Sequence, residues 1–168
     1  MKVLMIRGFG ITELAEFVRM RLGDKGKEIF VSAGVPVEPD KNKWYPVESL
    51  TPIMQAMGGK RQIYREFGRF TSRRIASTIK ILSFVFNLPT YLIKNANIVW
   101  HYYFNQERWE IADSGKGFVV VDLLDSNMPG LWAEEVAGWI EGAFGLGGFE
   151  RIEVTIIHES PERDNLQG

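Results

Sequence analysis

Apolar residues recur along this chain with two periods, and the change from one to the other divides it. From Ile11 to Leu22, Leu14, Phe17, Val18 and Leu22 stand three and four apart on one helical face, and Gly23 supplies the stop. The opening Met1 to Arg7 fits a short strand or a lead-in to that helix. Asp24 to Ala33 is expected as a second short helix, and Gly34 to Lys43, with Pro36 and Pro39, as a loop. Trp44 to Met57 holds a further helix. Pro52 either marks its true start, with Thr51 as cap, or kinks a longer one, and the first reading is preferred because proline suits a first turn. Lys60 to Ile79 is the longest helical candidate, with Ile63, Phe67, Phe70, Ile75 and Ile79 as its apolar stripe. Leu82 to Ile93 reads as two short helical pieces split at Leu88-Pro89.

The period then shortens to two. Ile98 to Phe104 (IVWHYYF) has the β-branched and aromatic composition of a strand covered on both faces, within a strand-like run from Asn97 to Asp113. Asn105 to Arg108 is expected as a turn or bulge, after which Trp109 and Ile111 resume the alternation. Asp113-Ser114-Gly115-Lys116 turns the chain into Gly117 to Leu124, giving a hairpin. A helix follows from about Leu131 to Phe144, with Trp132, Val136, Trp139, Ile140 and Ala143 on its apolar face, and Glu150 to His158 (ERIEVTIIH) returns as a third strand. Gly138 and Gly142 stand one turn apart in that helix. Each costs roughly 1 kcal/mol against alanine, so close backbone approach to the sheet or to a partner helix must offset it. The pattern predicts an α+β fold, N-terminal helices packed on a small, mainly antiparallel C-terminal sheet crossed by a glycine-rich helix. One domain is expected over residues 1–158, with a polar tail over 159–168.

Composition narrows the function. Twenty basic and twenty-one acidic residues leave a formal charge of −1, so no global field favours nucleic acid or an acidic membrane surface. The absence of cysteine excludes thiol nucleophiles, disulfides and thiolate metal sites, and fits a cytoplasmic location. The first residues lack a signal-peptide pattern, and the apolar run Ile79 to Leu88 is too short and too polar to span a bilayer. Phosphate-loop, nucleophile-elbow and zinc-helix motifs are missing, which argues against an enzyme. Gly145-Leu146-Gly147-Gly148 follows a helix, so it reads as a terminator. The neighbouring carboxylates Glu134-Glu135 and Asp122/Asp125 have no histidine or lysine partner in sequence.

Two constellations remain as candidate sites. Arg61, Arg65, Arg69 and Arg73 recur every fourth residue on one helical face. Their face is either solvated, with the arginines paired to carboxylates elsewhere in the fold, or a binding stripe for an acidic partner protein, a phosphate-bearing ligand or, least favoured because no RNA or DNA motif accompanies it, a nucleic-acid backbone. Trp100, His101, Tyr103, Trp109, Trp132 and Trp139 form an aromatic group that could line a pocket for a small apolar ligand, and that equally suits a solid core.

The segment Pro129-Gly130-Leu131, the helix Gly138-Trp139-Ile140-Glu141-Gly142-Ala143, the turn Phe67-Gly68-Arg69-Phe70 and the first helix Ile11 to Gly23 carry a resemblance. Together with the closing strand, they resemble the superfamily joining haem nitric-oxide/oxygen-binding (H-NOX) sensors, 4-vinyl reductase-type ligand-binding domains and small TRAPP vesicle-tethering subunits. The resemblance implies a sensory or ligand-binding domain that passes a change to a signalling partner, and a possible homodimer. Haem is disfavoured as a cofactor, because the Tyr-x-Ser-x-Arg triad of haem-binding members is missing: Tyr45-Pro46-Val47-Glu48 and Tyr103-Phe104-Asn105-Gln106 do not match it. His101 lies near the expected axial position but inside a strand-like run, and is read as a histidine held within the aromatic cluster. The expected function is therefore haem-independent binding of a small apolar molecule, with a ligand-free interaction module as the alternative and no metal, no nucleic acid and no membrane span.

Overall fold

The computed structural model describes residues 3–74, 97–105, 108–124, 128, 130–146 and 149–157. Strand β1 (Met5–Arg7) leads directly into helix α1 (Gly8–Leu22), and α2 (Lys25–Ser32) follows after the stop at Gly23. Gly23 takes the positive φ of 60° that a helix end favours, and its amide donates to the Arg19 carbonyl. β2 (Trp44–Pro46) pairs antiparallel with β1, a 3-10 turn (Val47–Leu50) turns the chain, and α3 (Thr51–Ala56) begins with Pro52 in its first turn. Proline there marks a start, as its fixed φ requires. Helix α4 (Arg61–Arg74) comes next; the helical continuation expected over residues 75–79 and the two short helical pieces expected over Leu82 to Ile93 lie outside the described residues.

Residues 97–103 are helical (α5), which corrects the strand that composition predicts for Ile98 to Phe104. The physical reason is a spacing of three and four within the same residues. As a helix it turns Trp100, Tyr103 and Phe104 into the core and Ile98, His101 and Tyr102 outward, whereas a strand would divide the aromatic rings between two faces. Only Phe104 keeps a trace of strand, as an isolated antiparallel bridge to Ile6. At the other end, the Asn97 side chain mimics a neighbouring strand. Its Oδ1 accepts from the Trp109 amide and its Nδ2 donates to the Trp109 carbonyl, both at 2.7 Å.

β3 (Arg108–Gly115) and β4 (Phe118–Leu124) form the expected antiparallel hairpin around Lys116-Gly117, with Gly117 at φ 88° and a register shift between Ile111 and Asp113. The expected third strand is not assembled among the described residues. Ile152, Val154 and Ile156 keep the alternation, half-buried against exposed Glu153, Thr155 and Ile157, but pair with no ladder. The architecture is α+β, with two small antiparallel sheets of two strands each, and helices as the larger part, among the described residues.

Helix α6 (Trp132–Leu146) packs along α4. Arg61 meets Glu134, Gly138 meets Arg65, and Gly142 meets Arg69 and Ser72, so the register advances together and the two helices run in the same direction. Parallel neighbours need a long connection, which residues 75–131 supply. The close approach inferred from Gly138 and Gly142 is therefore to a helix. A Cβ on Gly138 would overlap the Arg65 carbonyl, and one on Gly68 of α4 would overlap the Glu135 carbonyl and stand 2.6 Å from the Trp139 amide nitrogen. This contact also rotates α4 relative to its predicted stripe. Tyr64, Phe67, Gly68, Thr71 and Ser72 are buried, while Ile63 and Phe70 are half-buried. The buried side chains of all these elements form one continuous core.

Candidate functional site

Helices α1, α4, α5 and α6 and strand β1 converge on a cavity of about 10 Å³, space for about one water molecule. Its apolar walls are the rings of Phe67, Trp100, Phe104, Trp132 and Trp139, with Ile6 and Val99. Its polar lining is Glu13, Thr71, Tyr103 and Glu135. Glu13 stands on α1 in the same helical arc as Gly10, Leu14 and Phe17, and is only 8% exposed. The Tyr103 hydroxyl donates to both of its carboxylate oxygens, at 3.0 and 3.2 Å.

Burial is the main electrostatic influence on this pair. It pushes the Glu13 carboxyl up to about 7, against the opposing pull of the Tyr103 hydrogen bond and the Arg74 charge, with Glu16 adding to the rise. Burial, the Glu13 carboxylate and the charge of Glu135 hold the Tyr103 phenol well above its ordinary value. A carboxyl tuned near neutrality inside an aromatic cavity is the kind of group that marks a functional site.

Of the six aromatic residues singled out from sequence, Trp100, Tyr103, Trp132 and Trp139 line the cavity. Trp109 is buried immediately behind, with ring centroids 5.2 Å from Trp100 and 6.1 Å from Trp139, and it supports the wall without reaching the space. His101 is exposed on the outer face of α5, so neither a place in the pocket nor one inside the aromatic cluster holds for it. Haem does not fit here: the cavity is water-sized, and its described lining contains no histidine. Among the described residues no group of three or more His, Asp or Glu could hold a metal ion, and no helix is long and apolar enough to cross a membrane.

The arginine stripe is largely spent within the fold. Arg65 is half-buried and bridges three partners: its Nε donates to Glu134 at 2.5 Å, Nη1 to Glu141 at 2.6 Å and Nη2 to the Val154 carbonyl at 3.1 Å. The hydrogen bond to Glu134 raises its affinity for the proton further. Arg69 donates to the other oxygen of Glu141 at 2.9 Å, and Arg61 reaches Glu134 at 3.7 Å from a mostly exposed position. Arg73 is exposed. As a continuous acidic-partner surface the stripe is thus corrected: its middle members fasten α4 to α6.

Glu13, Thr71 and Phe67 are site residues that the pattern did not single out as such, and Glu135 was noted only beside Glu134. The signal for Glu13 was available, because a carboxylate three residues after Gly10 and one before Leu14 falls inside the apolar arc of α1.

Fold and site together define an α+β protein with a small, acid-lined aromatic cavity among its helices. Comparison with models of known protein families matched none, and neither characterised proteins nor solved structures gave a match.

Proposed function

We propose that this chain is a haem-independent small-molecule-binding domain of a sensory kind, whose ligand is taken up at the cavity between α1, α4, α5 and α6. The observation that carries the reading is the convergence of Glu13, Tyr103 and Glu135 on an otherwise aromatic space. A domain needing only a filled core gains nothing from desolvating carboxylates there, since an apolar side chain of similar size packs at lower cost. The space as built is far below the few hundred Å³, roughly, of a preformed ligand pocket, so the ligand selects a rearranged state and its differential affinity drives the opening. Helix α5 is the wall suited to move. It supplies Val99, Trp100 and Tyr103 to the cavity while Ile98, His101 and Tyr102 face outward, so its displacement breaks contacts on one side.

Native mass spectrometry of the protein purified from cells tests this, with Val99→Trp as a variant that fills the cavity. The expected result is an added small-molecule mass on the wild type that the folded variant lacks. An apo mass, together with a melting temperature unmoved by a panel of small aromatic and aliphatic compounds, would overturn it. That outcome would support a second reading, a ligand-free interaction module, which the water-sized cavity and the exposed Ile98 and Tyr102 favour.

A further inference from the structure

We propose that Arg7, Trp44 and Tyr102 form a second binding site, on the outer side of α5, that takes the carboxylate of a small organic acid with an apolar body. None of the three lines the cavity. Three elements build the clamp. Arg7 ends β1 and stands directly across the ladder from Trp44 of β2, and its guanidinium carbon lies 4.8 Å from the Trp44 ring centroid. Tyr102 comes from α5, with the same guanidinium 5.3 Å from its ring centroid, and Phe9 backs it with 4.6 Å between ring centroids. Contact with aromatic rings holds a guanidinium in place while leaving its in-plane donors unused.

Those donors have no partner. Among the described residues the Arg7 guanidinium makes no ion pair and no hydrogen bond: Nε is enclosed without an acceptor, and the two terminal nitrogens stand open. Arg65, Arg69 and Arg74 each reach a carboxylate and are used by the fold itself. A half-buried cation without a counter-charge is costly, and an anion at its terminal nitrogens removes that cost. One guanidinium offers one charge and one two-pronged fork. A planar carboxylate matches both, whereas a phosphate dianion carries charge that Arg7 alone does not neutralise. The apolar body has its own surface. Ile98 stands four residues before Tyr102 on the same face of α5, and the two are 72% and 57% exposed, so a chain leaving the carboxylate can lie along them. Because Tyr102 belongs to α5, and Arg7 and Trp44 to the β1–β2 sheet, the bound acid fastens the helix to the sheet.

NMR titration of the isotope-labelled full chain with hexanoate, hexanol, hexylamine and inorganic phosphate, at about pH 7 where hexanoate is ionised, tests the site. Hexanoate is expected to shift the Arg7 Nε–H, the Trp44 indole and the Ile98 and Tyr102 amide signals saturably, with a Kd of about 1 mM or below and at least about tenfold more tightly than the other three. Arg7→Lys, which keeps the charge and loses the fork, is expected to weaken hexanoate at least about fivefold. Tyr102→Ala, at an exposed position, is expected to weaken it about threefold. Unchanged Trp132 and Trp139 indole signals verify the fold of each variant. Hexanol binding as tightly as hexanoate, phosphate or hexylamine binding most tightly, or an affinity for hexanoate unchanged in Arg7→Lys, overturns the assignment. So does the absence of saturable shifts at Arg7 up to about 20 mM. Hexanoate shifts at the Trp132 and Trp139 indoles in place of Arg7 would put the acid in the cavity, overturning the clamp while leaving the ligand-binding reading standing.

Discussion

Glu13 is held in the fold with its proton half off near neutrality, and that has a consequence for stability. Its value in the folded chain lies above the ordinary 4.5 and reaches about 7. Between those values the folded chain binds more protons than the unfolded chain, so stability falls as pH rises through the window. At 1.36 kcal/mol per unit the upper bound is roughly 3 kcal/mol. Glu13→Gln, which keeps the shape and removes the titration, should therefore melt higher than wild type above about pH 7 and nearly with it at about pH 4.5. Thermal melts across that range check this, and parallel wild-type and variant curves would contradict it. Legibility at this scale was uneven. Trp132 and Trp139 were found by helical spacing, and Tyr103 by composition. Glu13 was passed over because a charged residue on a helix is ordinarily solvated, and only the arc shared with Gly10, Leu14 and Phe17 distinguished it.

Among the elements, the α4–α6 pair carries the sharpest expectations. Gly68→Ala or Gly138→Ala forces a Cβ into a neighbouring backbone that has no rotamer by which to yield, so each should cost about 3 kcal/mol or more, read as a fall in melting temperature. Gly145→Ala, on the same helix but with open space around it, should instead stabilise by up to about 1 kcal/mol. Equal effects at Gly138 and Gly145 would mean that the helices do not meet as described. Arg65→Met leaves the buried Glu134 carboxylate only its longer contact with Arg61 and should cost about 2–4 kcal/mol, whereas Arg73→Ala on the exposed face should stay within about 0.5 kcal/mol. The glycine spacing alone points to this contact, although it does not say whether sheet or helix lies opposite. Residues 97–103 depart from the strand that their composition predicts for a physical reason. Val99, Trp100, Tyr102 and Tyr103 suit strands intrinsically, yet that preference is weak beside burying Trp100, Tyr103 and Phe104 on one side. The same weakness affects residues 150–157, whose alternation is real but which find no paired neighbour among the described residues.

At the scale of the whole molecule, the α+β class followed from the change of period, while the place where the helices converge did not, because it depends on long-range packing of α1 against α4, α5 and α6. That convergence makes the cavity, and the cavity carries the functional reading. The most direct measurement is a two-dimensional NMR titration of the isotope-labelled protein with benzylamine and, separately, benzyl alcohol. Uptake at the cavity should move the amides of Gly10, Glu13, Thr71, Val99 and Glu135 and the indole signals of Trp132 and Trp139, with α5 shifting as a unit. Saturable shifts confined to exposed Val31, Ile98 and Phe118, or no shifts at all, would contradict a ligand site among these helices.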